Sequence, residues 1–373
     1  MKERKLSIAQ NTVYNTAGSC FYLVCQWLLT VLAVRLGSVE SGGILAVAMS
    51  VTNVLFTLST FGIRTFQVSD VRRKYSVDTY VTTRLLTCGF GLLLCGIYCL
   101  ADGSRSREEA ACILVYMLFR VSEALSDENQ AVQQTEGRMD TVFWSFVLRG
   151  ILLIASFSLV LKTTGRLLWA FAAMAAATNA VVLFFEFPVS RKLSGFRLRW
   201  NLPASLRLLG ENVPLMLNSL LMAFLVTIPR TRLDALMGNY VMGIYGSIAA
   251  PAAVVQSAAL WLFTPSLTAF AEHWDRGDRA AFYRLHHRML LLLLGAAAVC
   301  LVGAKLLGRW GLGLLFGPEI AAEEALLVPT LLTTVLIAGE YYLSALLTVC
   351  RKLRSIVVSN LAAMAVTLLS PTY

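Results

Sequence analysis

The chain has 373 residues, 57% of them hydrophobic and 14% charged, with a mean hydropathy of +0.68 and a net charge of +10. Soluble domains carry roughly a quarter charged residues, so this balance excludes a soluble globular protein and points to an integral membrane protein. Runs of the roughly 20 apolar residues that a bilayer core requires recur from end to end, and nothing between them is long enough for a soluble domain.

In chain order, eleven helices are expected to span, at 13–36, 42–66, 79–100, 110–132, 141–161, 166–187, 213–237, 242–270, 288–307, 323–348 and 355–370. The first follows a basic start, "MKERKLSIAQ", as a signal peptide would. Its apolar run is too long for a signal peptide and no small-residue cleavage site follows, so it is expected to stay as an uncleaved span. After the sixth span comes the longest connection, "SRKLSGFRLRWNLPASLRLLGEN", from Ser190 to Asn212. It divides the chain into a six-helix lobe at 1–190, a basic linker at 191–212 and a second lobe at 213–373.

Sliding the sequence on itself by 201 residues pairs Asn11 with Asn212, Thr30 with Thr231, Leu32 with Leu233, Gly37 with Gly238 and Gly42 with Gly243. Two units of six helices would be parallel repeats about the membrane normal, an arrangement that places a substrate path between them. The second lobe is therefore expected to be incomplete by one helix. The fold class is all-α and polytopic.

The bases give an orientation. Nineteen Lys and Arg fall at the N-terminus or in every second connection: Lys2, Arg4, Lys5; Arg72, Arg73, Lys74; Arg138; Arg191, Lys192, Arg197, Arg199, Arg207; Arg276, Arg279, Arg284, Arg288; Arg351, Lys352, Arg354. Five lie in the opposite connections, namely Arg105, Arg107, Lys162, Arg166 and Arg309. The bias places the N-terminus in the cytoplasm. The positive charge then belongs to loops on an anionic leaflet, and no nucleic-acid partner is expected.

The fourth span is the informative one. Counted from Ala110 at 1.5 Å per residue, Arg120 lies about 15 Å deep, near the midplane. Arg120, Glu123, Asp127, Gln130 and Gln134 follow the spacing i, i+3, i+7, i+10, i+14, a single helical face. Charges in hydrocarbon cost a few kcal/mol each and face a bundle interior or a watery cavity. Two further polar stripes run along Asn11, Asn15, Ser19, Tyr22 and Gln26 in the first span, and along Ser50, Asn53, Thr57, Thr60 and Arg64 in the second. The three stripes suggest a shared hydrated lumen; hydrogen bonding between tightly packed helices is the alternative for the uncharged residues.

Arg149, in the fifth span, lies as far from the turn at Arg138 as Asp127 does, so a structural ion pair between the two is expected, leaving Arg120 and Glu123 as the functional pair. Glu340 stands to Arg351 as Asp127 stands to Arg138 and is the expected counterpart acid of the second lobe. Arg35, Arg84, Arg230, Arg232 and Lys305 are nearer span ends, where snorkelling accounts for a base.

Other chemistry is not indicated. There is no P-loop motif, and "GRWGLGLLFG" from Gly308 follows no strand. His273, His286 and His287 belong to a loop, "EHWDRGDRAAFYRLHHR", expected to present a solvated amphipathic face. The eight cysteines form no metal or disulfide pattern. No enzymatic activity is expected.

The stretches "FGIRTFQVSDVRRKYSVDTYVTTRLLTC" (61–88) and "SEALSDENQAVQQTEGRMDTVFWSFVLRGILL" (122–153) resemble the polysaccharide-biosynthesis membrane proteins of the O-antigen flippase (Wzx-like) type. These belong to the multidrug/oligosaccharidyl-lipid/polysaccharide (MOP) flippase superfamily. The resemblance is carried by the spacing of Glu123 and Asp127, by Arg138 to Asp140, and by Arg149 with Gly150; it covers roughly 5–190, while the second lobe matches in layout. It implies a flippase for an undecaprenyl-diphosphate-linked oligosaccharide in the bacterial cytoplasmic membrane, working by alternating access beside polysaccharide polymerase and glycosyltransferases. Arg120, Arg149 and Arg64, with Gln26 and Asn53, are then candidates for the diphosphate and headgroup, since arginines present planar donors to phosphate. Glu123, Asp127 and Glu340 become candidate coupling or gating acids. No cofactor is implied beyond a coupling proton or sodium ion. Competing readings are a cation-coupled drug antiporter of the same superfamily, a major-facilitator carrier, and a non-transporting scaffold of a polysaccharide-synthesis complex.

Overall fold

The computed structural model describes residues 7–70, 74–103, 105–263, 266–350 and 352–369. Among the bases used for orientation, Lys2, Arg4, Lys5, Arg72, Arg73 and Arg351 lie outside the described residues. The described residues are helical with short connections and no strand: α1 (Ile8–Leu32, continued by a π turn at Ala33–Gly37), α2 (Val39–Thr60), α3 (Ile63–Ser69), α4 (Val77–Ala101), α5 (Arg107–Thr135), α6 (Met139–Thr164), α7 (Leu167–Val181, running through a second π turn, Val182–Glu186, into α8, Phe187–Ser194), α9 (Leu202–Phe263), α10 (Leu267–Asp275), α11 (Arg279–Leu315), α12 (Pro318–Ala322), α13 (Leu327–Val349) and α14 (Leu353–Leu369).

Local sequence sets these boundaries. Ser7 and Ser106 open α1 and α5 with capping boxes completed by Gln10 and Glu109, and Ser38 and Ser76 cap α2 and α4; each satisfies amides that a helix start leaves without partners. Each of the eleven stretches expected to cross falls largely on a helix. Eight described helices are long and apolar enough to cross a membrane on their own. α5 is not in that set, because its charges dilute its apolar content. α9 is broken at Gly238, whose φ of 78° and ψ of 175° are not helical.

The helices form two compact units, Met1–Asn239 and Tyr240–Tyr373. In the first, α5 is the hub: it packs on α2, α4, α6 and α7, and α1 lies along α6. Tyr116, Phe119, Phe157 and Phe171 fill the space between α5, α6 and α7, with Phe157 and Phe171 stacked 6.0 Å apart. Between α2 and α3 the chain turns through two left-handed residues, Phe61 (φ 50°) and Gly62 (φ 66°). The expected second span is thus two helices, and Arg64 rides on α3.

The stretch of α9 within the first unit is held at both ends. Near its start, Leu208 is buried with Ile63, Tyr75 and Tyr80, and Glu211 pairs with Lys74 at 2.5 Å and accepts from the Tyr75 hydroxyl at 3.0 Å. Near its other end, Asp234 pairs with Arg105 at 2.8 Å, and Arg105 also holds Asp102 at 2.9 Å. Asn239 donates there to Glu109, and its carbonyl lies so close to Gly43 that a Cβ on Gly43 would stand 1.8 Å from it.

In the second unit, Phe270, Phe282, Met289, Tyr342 and Leu346 form a core between α10, α11 and α13. His286 does not lie on a solvated face as the sequence suggested: it stacks on Tyr342 with rings 6° from parallel, and its Nδ1 is 3.0 Å from the Tyr342 hydroxyl. The stretch expected to be a loop is largely helical, with His286 on α11, which turns it toward α13. His287 is exposed and bonds the Tyr283 carbonyl.

Two expectations follow. Gly43→Ala must displace the Asn239 backbone, whereas Gly89 faces open space. Gly43→Ala is expected to lower stability by roughly 1–3 kcal/mol in a thermal unfolding assay, and Gly89→Ala to leave it unchanged or slightly higher.

Asp70, beyond the end of α3, accepts from the amides of Lys74 (2.9 Å) and Tyr75 (3.2 Å) and from the Tyr80 hydroxyl (2.9 Å). Partial burial works against its charge, but those donors and the Lys74 ammonium outweigh it and hold the carboxyl below the ordinary carboxylate range. A depressed acid contributes stability that is full above its unfolded-state pKa and lost as pH falls through the folded value. Asp70→Asn should therefore lower the melting temperature at neutral pH and flatten the acid side of the stability profile; an unchanged profile would remove Asp70 from this role.

Candidate functional site

The charges that the sequence places inside the membrane come together around α5, in two groups. In the first, Glu123 is the centre. It accepts from the Tyr22 hydroxyl and from Gln26 Nε2 (2.8 Å), both on α1, and from Arg149 of α6. Arg120, one turn away on α5, approaches it at 3.6 Å and lays its guanidinium 3.9 Å from the centre of the Phe56 ring. Arg149 is almost wholly buried, and its other arm donates to Ser126 Oγ at 2.6 Å. Ser126 in turn donates at 2.8 Å to Glu186, a fully buried acid in the π turn after α7 that also accepts from Ser145.

In the second group, Asp127 lies between two arginines. Arg64 of α3 reaches Oδ1 at 2.9 Å and continues to Gln130 (3.1 Å) and Gln134 (3.2 Å). Arg84 of α4 reaches Oδ2 at 3.0 Å, donates to the Ser59 carbonyl at 3.1 Å, and lies 3.5 Å from buried Glu128. The two arginines differ in access: the Arg64 side chain is 30% exposed and that of Arg84 is 0% exposed.

Two expectations are corrected. Asp127 does not pair with Arg149. Equal distance from the turn gives equal depth but not equal direction: Asp127 lies four residues beyond Glu123, about 40° further round α5, and so faces α3 and α4 while Glu123 faces α1 and α6. Nor is Arg84 a snorkelling base, because it is sealed inside the unit by its pairs with Asp127 and Glu128.

The other expected residues are placed as follows. Arg120 and Glu123 are neighbours, but Arg149 holds Glu123 more closely. Asn53 is half-buried on α2, where Ser50, Thr57 and Thr60 bond back to their own helix carbonyls. On α1, Asn11 Oδ1 accepts from the Met139 amide at 3.0 Å, so part of that stripe joins helices. Glu340, on α13 in the second unit, accepts from Ser344 at 2.7 Å, and no base pairs with it among the described residues. No group of metal-ligating side chains occurs among the described residues.

Arg84, Glu128 and Glu186 are participants that sequence reasoning missed. Each is an ionisable residue within a helix of the bundle, which is itself a signal for a paired interior site. With them the network holds four arginines (64, 84, 120 and 149) and four carboxylates (123, 127, 128 and 186), formally in balance.

Similarity to known proteins agrees with this architecture. A transporter of the MOP superfamily from Pyrococcus furiosus superposes with a TM-score of 0.63 at 13% identity, over 95% of this chain and 84% of that one. The fold is that of MOP-superfamily transporters. A multidrug-resistance transporter of the MATE family, in its inward-facing conformation, superposes with a TM-score of 0.59 at 12% identity, over 96% and 84% of the two chains. In sequence, the capsular polysaccharide biosynthesis protein CapF of Staphylococcus aureus is 21% identical over 328 residues, covering 86% of this chain and 80% of CapF. No family model matches the chain.

Removing one partner of a sealed pair leaves an unanswered charge, at a cost of roughly 3–5 kcal/mol. Arg84→Ala strands buried Glu128 and leaves Asp127 to Arg64 alone, and is expected to cost that much in a thermal challenge of the purified protein. Arg64→Gln removes a partly solvated charge and should cost about 1 kcal/mol or less. Equal losses from the two variants would contradict the sealed and accessible roles assigned here.

Proposed function

We propose that the protein is a flippase that carries a lipid-linked oligosaccharide, an undecaprenyl diphosphate, across the bacterial cytoplasmic membrane for cell-surface polysaccharide synthesis. The observation that carries this reading is the set of arginines around α5 in a chain with a MOP transporter fold. The relative named for capsular polysaccharide biosynthesis supports the substrate class. A sugar diphosphate is too polar for hydrocarbon, and guanidinium groups match its oxygens in geometry and charge.

Arg64 and Arg120 meet the diphosphate first, being the more accessible of the four; Arg149 follows as Glu123 yields it. Gln26 and Asn53 meet the headgroup. Glu123 and Asp127 reclaim their arginines when the substrate leaves, so binding stays weak enough for turnover. A coupling proton or sodium ion would act on the same acids or on Glu340. Alternating access moves the headgroup while the prenyl tail stays in the bilayer, with polymerase and glycosyltransferases as partners at the membrane.

The likeness to multidrug transporters favours a second reading, cation-coupled drug export. The two separate in one experiment. In cells that depend on this protein for surface polysaccharide, Arg64→Gln and Arg120→Gln should abolish polysaccharide export while the protein accumulates normally in the membrane. Asp127→Asn should bind lipid diphosphate more tightly and turn over more slowly. Drug resistance that tracks the protein, with polysaccharide export indifferent to all three changes, would decide for the antiporter; indifference of both would leave a scaffold.

A further inference from the structure

Between α8 and α9 the chain runs from Gly195 to Asn201 without helix, pinned on either side. Phe196 is buried against Phe187, with ring centroids 5.2 Å apart at 88°, and Leu208 is buried among Ile63, Tyr75 and Tyr80. The Arg197 amide donates to Asp78 Oδ1 at 2.8 Å, tying the strand of chain to the start of α4.

Between these anchors every residue from 197 to 203 is exposed. The exposed set includes Leu198 and Trp200, the latter 63% exposed, followed by Leu202 and, one turn further on the same face of α9, Leu206. Arg197 and Arg199 alternate with the first two, and Arg207 lies beside Leu206. From Phe187 to Gly210 there are five bases, counting Arg191 and Lys192, and no acid. Large apolar side chains held out by buried anchors need a cover, and the local excess of bases over Asp78 and Glu211 favours an anionic one.

We propose that residues 197–207 form an interfacial strap on the bilayer surface, with Trp200 and the leucines entering the boundary between headgroups and acyl chains and the arginines binding the phosphates of anionic lipids. Helices of the bundle on either side, α8 and α9, keep the segment within reach of that surface. Trp favours this boundary, bases beside an apolar face reach up to headgroups, and each contributes electrostatically to binding an anionic leaflet. The strap goes beyond the transport reading and stands whatever the protein carries.

The test uses the full chain reconstituted in phosphatidylcholine bilayers with a minor fraction of brominated phosphatidylglycerol or brominated phosphatidylcholine. Trp200→Phe isolates the emission of Trp200 by difference, and the exposure of that side chain makes the substitution neutral for folding. The Trp200 signal is expected to be quenched more by the anionic lipid than by the zwitterionic one at equal fraction, with the preference falling at high salt. Replacing Arg197, Arg199 and Arg207 by Gln should reduce that preference by up to about fivefold per arginine. Quenching by aqueous iodide without quenching by either lipid would overturn the proposal in favour of a solvated loop. Protection from iodide and from both lipids would overturn it in favour of a protein cover.

Discussion

Three carboxylates on the C-terminal half of one helix, Glu123, Asp127 and Glu128, set the terms for the first unit. Packing between helices in lipid gains little from hydrophobic burial, because the tails are as apolar as the side chains they would replace. What distinguishes one neighbour from another is the chance to pair a charge or satisfy a hydrogen bond. The neighbours of α5 supply those partners: Tyr22 and Gln26 from α1, Arg64 from α3, Arg84 from α4, Arg149 from α6, and Glu186, which accepts from Ser126, from the turn after α7. The left-handed turn at Phe61 and Gly62 belongs to the same logic, since it puts Arg64 on a separate short helix beside Asp127.

The two groups divide support from access. Arg84, Glu128 and Glu186 are sealed, and their chemistry is spent on one another and on the helices that carry them. Arg64, Asp127 and Arg120 retain some exposure. Because the network is balanced in itself, it presents no standing field of excess positive charge; it offers arginines whose present partners can be exchanged. Under the proposed function, an anion would bind there by substitution and leave by the same exchange reversed.

Much of this was readable from sequence. Polarity at three- and four-residue spacing located the charged, partner-seeking face of α5 and the residues of α1 that meet it, because helical periodicity fixes which side chains share a face. What spacing within one helix does not encode is the azimuth of its neighbours. Asp127 and Arg149 have matching depth and lie on adjacent helices, yet a rotation of about 40° gives Asp127 to Arg64 and Arg84. Arg84 was misread for a related reason: its place in the sequence, seven residues into α4, is equally consistent with a base near a membrane surface and a base buried against α5. His286 shows the converse, a polar residue that the sequence placed in a basic loop and that lies on α11, packed onto an aromatic core with a tyrosine 56 residues away.

The pairing around α5 also has a direction in time. On its own this helix is a poor passenger for the membrane, since each of its interior charges costs about 2.5–3.5 kcal/mol to insert. The arginines that answer Asp127 and Glu128 lie earlier in the chain, on α3 and α4, and are synthesised before α5. The arginine that answers Glu123 lies later, on α6, and arrives with the next helix. During synthesis the partners of the C-terminal end of α5 are therefore available before the partner of its middle, and the short turn at Gly137 and Arg138 keeps that interval brief by delivering α6 as the second arm of a hairpin.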